Sequence, residues 1–347
     1  MTSVEAYLDA LPKVELHLHL EGSVRPATLL RLAERHRTTG LPGTLAGLRD
    51  FYRFRDFDQF VQVYYAICDN LRTQEDFALV VTELAADLAA QNVRYAEVTF
   101  TPFNHTRRGV PAAAVFGGVE EGRIQAEHDT GVRLRFCTDI PGEFGAEAGM
   151  ETIAMTLAHR TDGIISFGLG GPEAGYSRAA FADSFAIARH EGLHSVPHAG
   201  ETGGPESVRE ALDYLGAERI GHGVRSLEDP NLIARLVDEA VALEVCPTSN
   251  VQLGVVDRIE DHPLPQLIEA GVHVTLNSDD PPMFGTTLAD EYRLAAGVLG
   301  LSPSAVADVA RAGVRASFLS EADKAELLAA IDAVPPPAAG PEEVSPA

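Results

Sequence analysis

The chain has 347 residues, of which 45% are apolar, and 51 acidic against 27 basic side chains give a net charge of −24. That balance excludes nucleic acid and anionic membrane surfaces as partners, because both need a basic face. No apolar run approaches the roughly 18 residues of a membrane span, and no basic segment followed by an apolar one opens the chain, so a cytoplasmic location is expected.

Short β-prone runs recur at Val14–His19, Val93–Thr101, Val132–Ile140, Ile164–Leu169, His194–His198, Ile220–His222, Ala242–Cys246 and Val272–Asn277. Between them, Glu75–Ala90, Phe181–His190, Ser207–Leu215 and Pro230–Glu239 place apolar residues at helical spacing. Eight strands alternating with helices predict an α/β fold, a (β/α)8 TIM barrel. An open doubly wound sheet competes, but no Gly-x-Gly-x-x-Gly turn follows the first strand; the glycine-rich Gly168-Leu169-Gly170-Gly171-Pro172 comes mid-chain and contains proline. The stretch between the first two strands, about residues 40–90 and including Phe51–Leu71, is too long for one crossover helix. It predicts a helical insertion over the barrel mouth, where a lid would lie. No linker divides residues 1–334, which are expected to form a single domain, and the Pro-rich residues 335–347 read as a disordered tail. Cys68, Cys137 and Cys246 are far apart, each in an apolar run, and read as buried reduced thiols.

Four polar clusters follow apolar runs: Glu15-Leu16-His17-Leu18-His19, His198-Ala199-Gly200-Glu201, Gly221-His222-Gly223 and Asn277-Ser278-Asp279-Asp280. Barrel enzymes gather their sites from strand ends in this way. His17 and His19, one residue apart on a strand, point to the same side. With His198 and Asp279 they make three nitrogens and one carboxylate, leaving a position for water, which is the catalytic rather than the structural zinc pattern. Binuclear barrel hydrolases commonly bridge their metals with a modified lysine. This chain has no lysine between Lys13 and Lys324, so one Zn²⁺ is expected. The His-x-Glu with Pro-Cys-x-x-Cys zinc design is excluded because there is no such cysteine pair.

Pro12-Lys13-Val14-Glu15-Leu16-His17-Leu18-His19-Leu20-Glu21-Gly22, His198-Ala199-Gly200-Glu201, Arg219-Ile220-Gly221-His222-Gly223-Val224, Cys246-Pro247-Thr248-Ser249-Asn250 and Asn277-Ser278-Asp279-Asp280-Pro281 together resemble the adenosine/adenine deaminase family of amidohydrolase barrels. The resemblance spans roughly residues 10–330. It implies that His17, His19, His198 and Asp279 bind zinc and that His222 orients the attacking water and takes its proton. It further implies that Glu201, protonated, donates to purine N1, that Asp280, also protonated, bonds N7, and that the Gly171 N–H contacts N3. Independently, a 6-aminopurine is a poor electrophile until N1 is protonated, so an acid of raised pKa is required beside it.

Two departures bear on the substrate. Adenosine deaminases typically have Asp where this chain has Glu21, a candidate substrate contact that would crowd an ordinary ribose. They also usually read Asp-Leu-Ala-Gly-Asp-Glu where this chain has Gly168-Leu169-Gly170-Gly171-Pro172-Glu173, which predicts less negative charge near the sugar. Arg178, with Arg53 and Arg55 in the insertion, would suit an anionic substituent. The combination resembles a menaquinone-pathway branch that deaminates 6-amino-6-deoxyfutalosine, with adenosine and then adenine as alternatives. Another mononuclear amidohydrolase and a non-catalytic purine-binding barrel are the competing classes.

Overall fold

The computed structural model describes residues 3–55 and 57–337, so the expected tail lies outside the described residues from 338 onward. Eight parallel strands follow one another around a barrel in sequence order: Lys13–His19 (β1), Val93–Phe100 (β2), Arg133–Pro141 (β3), Ile164–Gly170 (β4), His194–Ala199 (β5), Arg219–His222 (β6), Ala242–Val245 (β7) and Val274–Leu276 (β8). β1, β6, β7 and β8 are buried throughout their lengths, as expected of parallel strands covered by helices outside and side chains inside. The fold is the expected TIM barrel.

The seam between β1 and β8 is closed mainly by side chains. Among the described residues, the one backbone bridge in the seam pairs Leu18 with Asp279. Ahead of it, Asn277 Oδ1 accepts the N–H groups of Leu16 (2.9 Å) and His17 (3.2 Å). This explains why β8 ends at Leu276 rather than running through Asn277: the asparagine side chain takes the place of ladder bonds. Ser278 N–H donates to Glu15 Oε1 at 2.9 Å from the same seam.

Four helices separate β1 from β2: Pro26–His36, Leu45–Phe51, Phe57–Cys68 and Gln74–Ala90. The Gln74–Ala90 helix opens with a Thr73/Asp76 capping box and packs against β2 and the Ala112–Thr130 helix, forming part of the outer wall. The Phe57–Cys68 helix instead sends Phe60, Val61, Tyr64 and Tyr65 to the pocket at the barrel mouth. The run read as a helix over Ser207–Leu215 is a helix only to Glu210 and widens into a π turn over Ala211–Leu215, ended by left-handed Gly216. Among the described residues no helix is long and apolar enough to cross a membrane.

Inside the barrel, the buried Arg219 on β6 donates from Nη2 to Glu97 on β2 and from Nε to Glu244 on β7 (2.6 Å). Its guanidinium also lies 4.0 Å over the Phe318 ring. Two buried acids thus share one buried cation. Replacing Arg219 by leucine leaves both acids uncompensated, and should lower unfolding free energy by about 3–5 kcal/mol in urea titrations.

Candidate active site

The strand ends bring the expected ligand residues together. His19 Nε2 lies 3.2 Å from His198 Nε2 and 3.4 Å from Asp279 Oδ1, while His17 Nε2 lies 3.7 Å from the same oxygen. His17 Nδ1 donates to Glu244 Oε2 at 3.0 Å, which leaves Nε2 as the lone-pair nitrogen, buried and without a protein partner. Burial above all, and then the other imidazoles, hold His198 well below the ordinary histidine pKa, and burial lowers His19 as well. Two neutral imidazole nitrogens facing each other at this distance, beside a third unpartnered one and a carboxylate, are the donor set of a cation that accepts both nitrogen and oxygen. The Glu244 carboxylate behind His17 is the outer support such ligands commonly have. Cys246 also falls within this cluster, but burial keeps its thiol neutral, and it points to the Glu244 carbonyl (3.6 Å).

Local backbone makes this convergence possible. Gly221 has no side chain because an added Cβ would lie 2.8 Å from His17 Cε1 and 3.1 Å from His198 Cγ. His222 (φ 60°) and Asp279 (φ 64°) both adopt left-handed backbone at strand ends. Non-glycine residues rarely hold that conformation without surrounding contacts that impose it. For Asp279 one such contact is the Ser249 hydroxyl, which donates to Oδ2 at 2.7 Å.

The acids divide by environment. Burial alone would raise Asp279, but the facing imidazoles of His222, His17 and His19 outweigh it and keep the carboxyl ionised. Asp280 is pushed well up, first by burial and then by Asp279, and its Oδ1 has no partner. That oxygen occupies the space of a Gly22 side chain, since a Cβ there would lie 1.5 Å from it. Glu201 is likewise pushed well up by burial, then by Asp279 and Glu173, with Oε1 unpartnered. Its loop is fastened by Glu173, whose carboxylate accepts the N–H groups of Gly200 (2.7 Å), Glu201 (2.8 Å) and Thr202 (2.9 Å).

The tautomer of His222 follows from a chain of hydrogen bonds beginning at a backbone donor. Leu264 N–H donates to His262 Nδ1 (3.1 Å), and burial lowers His262 to about 4, so this neutral ring carries its proton on Nε2. That nitrogen meets Asn250 Oδ1 at 3.2 Å, which turns the Asn250 amide nitrogen towards His222 Nδ1, also at 3.2 Å. His222 itself is lowered to about 3, chiefly by burial. Receiving a donor at Nδ1, the neutral ring presents an N–H from Nε2, 3.7 Å from Asp279 and 3.8 Å from Glu201. The Cys246-Pro247-Thr248-Ser249-Asn250 motif thus orients both Asp279 and His222.

These groups line one pocket, with about 730 Å³ of space between its atoms, the open mouth included. His19, His198, Glu201, His222, Asp279, Asp280 and Gly171 all reach its wall. Two expected substrate contacts do not. Glu21 is buried behind the wall, its carboxylate taken by Thr101 N–H (3.0 Å), His105 Nε2 (2.9 Å) and the Tyr64 hydroxyl (3.4 Å). Arg178 is fully buried and donates from Nη2 to the carbonyls of Pro172 (2.8 Å) and Tyr176 (3.3 Å). Arg53 is exposed beside Asp50, and Arg55 donates to Gln59 Oε1. The arginine near the pocket is Arg107, whose guanidinium lies 4.7 Å over the Phe144 ring and 5.3 Å over the ring of the pocket residue Tyr65.

A family model described as adenosine deaminase matches residues 12–334. The chain belongs to the adenosine deaminase family. An aminodeoxyfutalosine deaminase of Streptomyces coelicolor is 48% identical over 331 residues, covering 95% of this chain and 86% of the relative. An adenine deaminase of Rhodospirillum rubrum is 42% identical over 329 residues, covering 95% of this chain and 98% of that one. A solved amidohydrolase from Burkholderia ambifaria, with bound zinc, superposes with a TM-score of 0.89 at 27% identity, covering 96% of this chain and 93% of the other. The protein is therefore a deaminase, a hydrolase of C–N bonds.

Gly221→Ala tests the packing of this deaminase's histidines without touching a ligand atom. The added methyl should force His17 and His198 apart and lower the content of bound transition metal about tenfold by atomic absorption, with the far-ultraviolet circular dichroism unchanged.

Proposed function

We propose that this deaminase holds one Zn²⁺ through His17, His19, His198 and Asp279, and hydrolyses the 6-amino group of an adenosine-type purine nucleoside. The substrate we favour is 6-amino-6-deoxyfutalosine, in menaquinone biosynthesis. The observation that carries this choice is the higher identity to the aminodeoxyfutalosine deaminase than to the adenine deaminase, at equal coverage of the chain. Arg107 among aromatic rings beside the pocket suits a carboxyphenyl arm, a role that the buried Arg178 does not suit. Adenine is the second reading, favoured by the Rhodospirillum rubrum relative. A cytoplasmic setting fits the three buried, unpaired thiols.

In this mechanism the purine ring enters with N1 facing Glu201. Kept neutral by burial, Glu201 donates a proton to N1 and makes C6 electrophilic. Asp280, also neutral, donates to N7, and the Gly171 N–H meets N3. Zinc, when bound, lowers the pKa of water towards about 7. His222 donates its Nε2 proton in a hydrogen bond to the oxygen that adds to C6, holding that oxygen on the correct face. Taking the proton of the water, the role expected from the family resemblance, needs a bare Nε2, and the Asn250 amide opposes that tautomer. Hydroxide adds to C6, its remaining proton passes to the amino group, the C6–N bond breaks and ammonia leaves. The Glu201 proton stays on N1 of the product, and the proton the water gave up on becoming hydroxide restores Glu201.

Purified holoenzyme assayed with adenine, adenosine, 2′-deoxyadenosine, 5′-methylthioadenosine and 6-amino-6-deoxyfutalosine tests the substrate. The highest kcat/KM should belong to the last, and a preference for adenine would overturn the choice. Glu201→Gln should lower kcat at least about a hundredfold while zinc content is kept. In the wild type, kcat/KM should fall as pH rises through the raised pKa of Glu201, because the proton it donates is then absent.

Asn250→Asp separates the two roles of His222. A carboxylate accepts the proton at Nδ1 and frees Nε2, so a hydrogen-bond donor role predicts a loss of kcat of at least about tenfold, whereas a base role predicts none.

A further inference from the structure

Beyond the metal and the acids, the pocket has a second polar sector. It is built by the short Pro102–Thr106 helix after β2, the end of β3, and the Gly142–Phe144 turn. Asn104, Asp139 and Glu143 line the pocket from these three segments. Asn104 Oδ1, Asp139 Oδ1 and Glu143 Oε2 are each buried with no hydrogen-bond partner. Tyr65 holds Glu143 by donating to its other oxygen. The neighbouring strand is shaped around these acids: a Cβ on Gly168 would lie 3.2 Å from Asp139 Oδ1, one on Gly170 2.7 Å from Asp139 Oδ2, and one on Gly171 2.5 Å from Glu143 Oε2.

Buried acceptors without protein partners take their donors from water or from a ligand in the pocket. Two carboxyls and an amide oxygen in one sector call for several O–H groups and repel an anion. A purine base offers ring nitrogens and one N–H on its sugar edge, but a ribose offers adjacent hydroxyls. We propose that Asn104, Asp139 and Glu143 form the subsite that binds the ribose hydroxyls of a nucleoside substrate, making this deaminase selective for nucleosides over free bases. This rests on the purine-nucleoside reading above and adds to it the residues that would read the sugar. Burial, then Glu21 and Glu143, raise the Asp139 carboxyl well above its ordinary range, so it offers a donor as well as an acceptor to a diol.

The test pairs a protein change with a substrate change. Zinc-loaded wild type, Asp139→Asn and Glu143→Gln are assayed with adenosine, 2′-deoxyadenosine, 3′-deoxyadenosine and adenine. Wild type should favour adenosine over adenine and lose at least tenfold in kcat/KM when one of the two ribose hydroxyls is removed. In at least one variant that penalty should shrink to within twofold, with the change carried by KM and with thermal midpoint and zinc content retained. The two substitutions are independent, so one that fails to fold leaves the other to decide. Equal penalties in wild type and in every folded variant would overturn the subsite while leaving the deaminase reading intact. Ammonia release from adenine but from no nucleoside, 6-amino-6-deoxyfutalosine included, would overturn the nucleoside reading, and the subsite with it.

Discussion

Asn277 holds the seam on which the site depends. Its Oδ1 accepts both Leu16 N–H and His17 N–H, so the last strand is tied to the first at the level of the histidine pair. Two residues further on, Asp279 bridges to Leu18 and its backbone turns left-handed. The imidazoles of β1 share as neighbour one oxygen of Asp279, a carboxylate that follows β8 at the far end of the barrel sequence. A barrel closed only by a regular ladder would continue the alternation of side chains. A seam closed by a side chain lets the chain turn early and places Asp279 and Asp280 on the pocket side together.

That placement creates an electrostatic problem which the site uses. Asp279, Asp280 and Glu201 are all buried near one another, and they cannot all be ionised at neutral pH. The histidines settle which one is: they face Asp279 and keep it charged, while Asp280 and Glu201 are driven towards the neutral form. One carboxylate is left for a cation and two acids are left to donate to ring nitrogens. Carboxyls of the same type thus acquire opposite functions from their neighbours, the pattern found wherever a protein runs acid chemistry at neutral pH.

Much of this was legible in the sequence. All eight strands are where apolar runs placed them, because a buried parallel strand shows itself as such a run. His17, His19, His198 and Asp279 were legible because they stand at the ends of three strands, the first two sharing β1. What supports them was not. Glu173 fastens the Glu201 loop from 28 residues away, and Glu244 backs His17 from 227 residues away. Asn250 and His262 orient His222 through contacts with no spacing signature. Glu21 and Arg178 were misplaced for a related reason: sequence position puts them near the site, but both heads are buried inside the wall, Glu21 on Thr101 and His105 and Arg178, through Nη2 alone, on the Pro172 and Tyr176 carbonyls.

The loss of acids from the fourth strand end is the clearest case of a sequence difference whose meaning lies across a ladder. Gly168 and Gly170 stand where related chains usually carry Asp and Ala, and the sequence alone suggests a less negative sugar side. In the barrel, Gly168 pairs directly with Asp139 of β3, and the missing Cβ leaves the space that the Asp139 carboxyl takes. Asp139 thus supplies an acid from the neighbouring strand, and Glu143 places a second one beside Gly171. The sector is therefore no less acidic, and an anionic substituent has no place in it. Arg107, over the rings of Tyr65 and Phe144, borders the same sector, so a carboxylate arm pairing with it would lie close to Glu143.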